Sequence, residues 1–213
     1  MALAITCPAP SQIPDIPVVA CPTDLGQIQK FGLQRLYSSG TTLNSQTAAN
    51  FVLAATWTTL LGATDSTKVQ FSPLIGNVIF TPAEPNRAGE GPETPDGTGV
   101  ITSLGKTPVT FELIQPHPSI GKALKLYLSE GYNLGIYLVN QDGKMICKVD
   151  DPTTPTVCYP IPIRSWFLTD RTGSNIDSYD KQPGGWTFLP GWSDNLAIFT
   201  PSNFDALTFL SGS

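Results

Sequence analysis

Apolar and polar positions alternate with a period of two over several short stretches, the pattern of strands with one buried face. In "TPVTFELIQP", Val109, Phe111 and Leu113 fall on one side and Thr110 and Glu112 on the other. In "TKVQFSPLIGNVIF", Val69 and Phe71 alternate with Lys68 and Gln70. Pro73 and Gly76 then split that run into two strands joined at a bend, bulge or edge. "YNLGIYLVNQDGKMICKV" predicts a hairpin: Leu134, Ile136 and Leu138 on the first strand, Asp142-Gly143 as the turn, "KMICKV" as the return. "YPIPIRSWFLTD" is a further strand, with its start pushed to an edge by Pro160 and Pro162. "GGWTFLPGWSDNLAIFTPSNFDAL" gives two short strands around Pro190-Gly191 and a terminal cap.

The period changes to 3.6 in "HPSIGKALKLYLSEG". Ile120, Ala123, Leu124, Tyr127 and Leu128 form one stripe, Lys122 and Lys125 face away, Ser119 is the expected N-cap and Gly131 the stop. This predicts a helix over about 119–130 lying on a sheet. Two stretches are ambiguous. "DLGQIQKFGLQRLYSS" is a short strand or helix, and the apolar run "ANFVLAATWTTLLGA" reads as a buried strand entering a short helix.

Two segments have no periodicity. Residues 1–30 hold Pro8, Pro10, Pro14, Pro17 and Pro22, which block helix and predict an extended arm, with Ile13, Ile16, Val18 and Val19 as its apolar contacts. The arm either straps its own domain or docks on a neighbouring subunit. "PAEPNRAGEGPETPDGTGV", residues 82–100, is a long Pro/Gly-rich connection, and such connections in compact domains are functional or disordered. Its glycines give reach, and Glu84, Arg87, Glu90, Glu93 and Asp96 give polar contacts to a neighbour. The expectation is a loop mobile in the free subunit and ordered on assembly. The sum is a mainly β (α+β) chain: a β-sandwich or partly closed barrel with one flanking helix, residues 31–213 making a single domain behind the arm.

Composition narrows the function. At 213 residues with 40% hydrophobic residues, one domain with a real core is expected. Charged residues are only 14%, well under the usual quarter, which fits a surface partly covered by other subunits. The net charge is −5 with no basic stripe, so sequence-specific nucleic-acid binding is not expected. DNA would instead be repelled, as a conduit requires. No apolar run is long enough to span a membrane, and the start lacks signal-peptide features, so folding in a cytoplasm is expected.

Candidate chemistry is thin. The single histidine, His117, lies between two prolines with no accompanying nucleophile motif, which favours a turn role over a general base. "GWSDN" lacks the second glycine of a nucleophile elbow. Asp170, Asp177 and Asp180 lack the spacing of a calcium loop. Cys7, Cys21, Cys147 and Cys158 form no CxxC pair, so zinc is poorly supported, while free thiols and Cys7–Cys21 or Cys147–Cys158 disulfides stay open. Trp166, Trp186 and Trp192 are sugar platforms or core anchors. No phosphate-cradling or dinucleotide fingerprint occurs. No enzyme activity, cofactor or metal is expected.

The chain resembles virion structural proteins of tailed bacteriophages, especially of phages of gut Bacteroides relatives. The stretches that carry this are "CPAPSQIPDIPVVACP" with "DLGQIQKFGLQR", "ATWTTLLGATDSTKV", "IGKALKLYLSEGYNLGIYLVNQDGKM" and "GGWTFLPGWSDNLAIFTPSNFDAL". Within that class the order of elements is most similar to a tail tube subunit. The resemblance implies a β-sandwich or barrel with a flanking helix, six copies per ring, and rings stacked around an acidic lumen. It also implies a long loop reaching the adjacent ring, here Pro82–Val100. Partners would be copies of itself and other virion proteins, DNA would pass without specific binding, and assembly would occur in the host bacterial cytoplasm. A head decoration, a neck protein or a carbohydrate-binding surface module of a virion is the alternative.

Overall fold

The structure, a computed structural model, describes residues 24–89, 99–173 and 179–210. The chain order is β1 (Ile28–Arg35), β2 (Tyr37–Ser39), β3 (Thr42–Leu43), β4 (Gln46–Thr47), α1 (Ala48–Phe51), α2 (Ala54–Gly62), β5 (Val69–Phe71) and β6 (Ile75–Phe80). It continues with β7 (Asn86–Ala88), β8 (Val100–Ser103), β9 (Thr107–Ile114), α3 (Pro118–Lys125), a 3₁₀ turn (Leu126–Glu130), β10 (Leu134–Asn140) and β11 (Met145–Val149). The last elements are β12 (Val157–Tyr159), β13 (Ile161–Leu168), β14 (Lys181–Phe188), β15 (Leu196–Phe199) and α4 (Ala206–Phe209). The fold is mainly β, a curled antiparallel sheet forming a half-barrel.

Strand β10 organises the sheet. One edge pairs with β1 along its length. The other edge forks: Gly135 and Ile136 pair with β13, and Leu138 and Val139 pair with β11. Through β13 the sheet continues to β14, β9 and β6. It curls back toward β1, where Ser72 joins the two ends: its N–H donates to the Phe31 carbonyl at 2.8 Å, and its hydroxyl accepts from the Phe31 N–H at 3.1 Å. Pro162 pairs with Gly135 at the fork of β10, and β13 meets β14 only from Ile163 onward.

Three bulges make the curl. Register shifts fall at Ile28/Lys30, Gly76/Ile79 and Arg164/Phe167. Each changes which face the following residues present. In β13, Ile161 and Ile163 point inward, the bulge at Ser165 (φ 52°) takes up one residue, and Trp166 and Leu168 point inward again. Asn77 (φ 49°) does the same in β6.

The half-barrel interior is apolar and aromatic. Phe31, Phe111, Trp166 and Trp186 pack together with ring centroids 5.0–6.2 Å apart, Phe31 meeting the other three edge-on and Trp166 stacking on Phe111 and Trp186. Room for Phe111 exists because residue 184 is glycine, where a Cβ would stand 2.6 Å from the ring. A second core covers the opposite face of β10 and β11. There Tyr137, Val139, Met145 and Cys147 pack against Phe51, Trp57 and Leu60 of α1 and α2, and against Ala206 and Leu210 at α4. Helix α1 is capped by the Thr47 hydroxyl and α4 by the Asp205 carboxylate. Helices therefore cover the sheet from more than the single flank expected, and "ANFVLAATWTTLLGA" is two helices with no strand. With both faces covered, every residue of β10 is buried.

Helix α3 closes one mouth of the half-barrel. Its cap is His117, not Ser119: the His117 Nδ1 accepts from the Ser119 N–H at 3.3 Å. Helical geometry tightens to 3₁₀ after Lys125, and Gly131 (φ 58°) ends it. Leu124 of the expected stripe is buried, and Ile120 and Tyr127 are half-buried against the core, but Ala123 and Leu128 stay exposed.

Candidate assembly surfaces

The residues on either side of the long connection form a β-ribbon. Asn86, Arg87 and Ala88 of β7 pair with Ser103, Ile101 and Val100 of β8. Asn86 Nδ2 donates to Ser103 Oγ at 2.8 Å, and Thr102 Oγ1 donates to the Asn86 carbonyl at 3.2 Å. The ribbon grows out of the β6–β9 ladder, which extends past β6 through Thr81 N–H to Pro108 O (2.9 Å) and Ala83 N–H to Lys106 O (3.0 Å). At its base the chain passes so closely that a Cβ on Gly105 would lie 1.7 Å from the Ala83 carbonyl oxygen. Only glycine fits there.

Every residue of β7 and β8 is exposed. Val100 and Ile101 keep 66% and 52% of their surface in solvent, and Leu104 beside them keeps 60%. Exposed single apolar residues are ordinary, but three in five residues of one projecting ribbon are an unsatisfied surface. Of the residues predicted to contact a neighbour, Glu84 and Arg87 are exposed at the root and on β7 of this ribbon. Glu90, Glu93, Asp96, Ile13, Ile16 and Val18 lie outside the described residues. The arm's final residues, Ile28–Lys30, are the first of β1. What the sequence reading missed were Val100, Ile101 and Leu104; the signal was "GVITSL", a short β-branched run directly after the glycines.

Two further features are left open in the subunit. Among the described residues strand β15 pairs with β11 alone, which leaves its outer edge without a strand partner there. Among the described residues no helix covers the outward face of β6, β9 and β13, which presents Ile79, Ile114 and Phe167 to solvent.

The chemical candidates separate. His117 bonds Ser119 Oγ at 2.8 Å within its own helix cap. Asp170 pairs with Lys125, Asp180 lies 3.6 Å from Arg171, and Asp177 is outside the described residues. Among the described residues no three His, Cys, Asp or Glu side chains gather to hold a metal ion. Cys147 and Cys158 are free and buried, and burial pushes the Cys147 thiol far above its ordinary value; Cys7 and Cys21 lie outside the described residues. The "GWSDN" segment is a turn with Trp192 packed behind it. That indole stacks on Phe188 at 4.3 Å, and its Nε1 donates to Thr107 Oγ1 at 3.2 Å. Trp166 and Trp186 are core residues. The strongest carboxylate shift is structural: Asp150 accepts from the Thr156 hydroxyl and the Thr156 and Val157 N–H groups, which hold it well below the usual carboxylate range. Among the described residues no helix is long and apolar enough to cross a membrane.

No protein-family model matches the chain, and no curated protein does. Among solved structures, one similar chain belongs to the virion of a native gene transfer agent particle; the identity is 10%, 58% of this chain and 82% of that chain are covered, and the TM-score is 0.30. Another belongs to the tail of an empty gene transfer agent particle with C6 symmetry, at 12% identity, 58% and 78% coverage and a TM-score of 0.30.

Proposed function

We propose that this chain is a structural protein of a tailed-phage-like virion, a tube subunit that assembles with copies of itself into stacked rings of six around a DNA conduit. The observation that carries the reading is the β7–β8 ribbon, which leaves the domain and exposes Val100, Ile101 and Leu104. A subunit with such a projection has its best partner in another copy. The open edge of β15 and the uncovered face of β6, β9 and β13 support the same reading. Strand edges left open in a monomer become pairing surfaces when a neighbour adds a strand. The −5 charge suits a channel through which DNA slides without sticking. The protein needs no chemistry of its own for this role and would be found in the particle. The likeness to phages of gut Bacteroides relatives rests on the sequence stretches alone. A sugar-binding module is less well supported, because Trp166 and Trp186 are spent in the core and Trp192 is stacked on Phe188.

Negative-stain electron microscopy of the purified protein over a concentration series, alone and with the other proteins of the particle, tests the proposal. Rings or tubes are the expected outcome. A protein that stays monomeric under every condition would remove the tube reading.

A further inference from the structure

A large groove runs between α3 with its 3₁₀ turn and the connection from β5 to β6, with a volume of about 1120 Å³. Its walls are mainly apolar, and two of its side chains, Leu74 and Leu126, keep 59% and 70% of their surface exposed. Phe71, Ile120 and Tyr127 line it more deeply. Lys68 stands at its rim and makes no ion pair among the described residues. The one carboxylate in the wall, Glu130, is held by Arg35 through two hydrogen bonds of 2.7 and 2.9 Å. The groove is thus an apolar trough with its negative charge neutralised and a lysine at its lip.

The β7–β8 ribbon has the complementary character. Val100, Ile101 and Leu104 are apolar and exposed. By sequence, residues 82–100 carry a formal charge of −3, from Glu84, Glu90, Glu93 and Asp96 against Arg87. We infer that the groove between α3 and the β5–β6 connection is the receptor for the β7–β8 ribbon of a second copy of this chain. Leu126 and Leu74 would meet Ile101 and Leu104 of that copy, and Lys68 would offset part of the net negative charge that its residues 82–100 carry by sequence. The two halves of such a contact are different surfaces of one subunit. It is therefore head-to-tail, a geometry that propagates into a ring or a filament rather than closing as a dimer. Matching of a negative projection to a positive lip chiefly sets orientation and the rate of encounter.

This inference rests on the self-assembly reading above, and one experiment separates the two. Protein with Cys7 and Cys21 replaced by serine is prepared as two single-substitution variants, Ile101→Cys and Leu126→Cys, one carrying a size tag. The two are mixed, assembled and mildly oxidised. Only a contact between subunits can join them. A mixed disulfide dimer in assembled material, and none when the mixture is diluted below the assembly concentration before it is oxidised, is the expected result. Leu74→Cys in place of Leu126→Cys gives a second attachment point in the same trough. Rings or tubes that form with neither mixed product would overturn the groove assignment and leave the assembly reading standing. The trough would then belong to another occupant, residues 1–23 being the first to test by truncation. No assembly by the unsubstituted protein would overturn both.

Discussion

The half-barrel interior and the β7–β8 ribbon both carry branched aliphatic side chains and differ in what surrounds them. Phe31, Ile136 and Leu138 are fully buried within a curled sheet covered on both faces of β10. Val100, Ile101 and Leu104, equally apolar, are left in water by their own subunit. The first set stabilises the fold by burial, at roughly 25 cal/mol per Å² of apolar surface removed from water. The second contributes nothing of the kind until something covers it. If the ribbon is an assembly surface as proposed, folding and assembly fall to separate parts of one chain, and substitutions should divide accordingly.

The largest effect on stability is expected in the core. Phe31→Ala removes a ring that contacts Phe111, Trp166 and Trp186. It should cost about 3–5 kcal/mol in chemical denaturation, a large share of the stability of a domain this size. An unchanged denaturation midpoint would break the assignment of the half-barrel as the core.

Gly105→Val comes next and probes the junction of the two regions. The new Cβ has no room beside the Ala83 carbonyl, so the ribbon must swing or its base must open. A loss of about 1–3 kcal/mol is expected from the strain, together with failure to assemble. A variant that assembles as the parent does would show that the ribbon's direction is irrelevant.

Asp150 sharpens the comparison through pH. Its carboxylate pins the turn that returns β11 to β12, and its folded value lies below that of the unfolded chain. The unfolded state therefore takes up the proton first on acidification. The stabilisation is present in full above about pH 5 and is lost as pH falls through about 4 and below. Asp150→Asn should lower Tm at pH 7, and the gap to the parent should narrow toward pH 3. A gap that does not vary with pH would contradict the assignment.

The smallest effect on stability, and the largest on assembly, is expected for Ile101→Asp. In the free subunit the change falls on an exposed ribbon and should stay within about 0.5 kcal/mol. In the assembly it would place a carboxylate in an apolar trough. A stability loss as large as that of Phe31→Ala would show that the ribbon belongs to the fold after all.

Much of the core was legible because its strands alternate. Val109, Phe111 and Leu113 of β9, Val69 and Phe71 of β5, and the turn at Asp142-Gly143 were all readable from spacing. The apolar run of β10 pointed to a strand, but not to the second core that buries its other face. A short helix was readable where α2 lies, but α1 was read as strand because "NFVLAATWTTLL" is apolar on nearly every side and shows no stripe. The irregularity in β6 was readable from Gly76 as a bend, bulge or edge, and the structure places it as a bulge at Asn77; the bulge at Ser165 was hidden, because that residue is not a glycine and the surrounding sheet imposes its positive φ. The ribbon was legible as a long connection but not as strands. The groove was not legible at all, since it is assembled from Lys30, residues 68–74, residues 119–130 and Leu207, which meet only in the folded chain.

The central claim is that residues 86–103 serve assembly and not folding. The most direct test is a deletion of Asn86–Thr98, compared with the parent by thermal denaturation and electron microscopy on the same preparation. The account predicts an unchanged Tm and a subunit that no longer stacks into tubes. A deletion variant that forms the same tubes as the parent would contradict it and reduce the ribbon to a tolerated insertion.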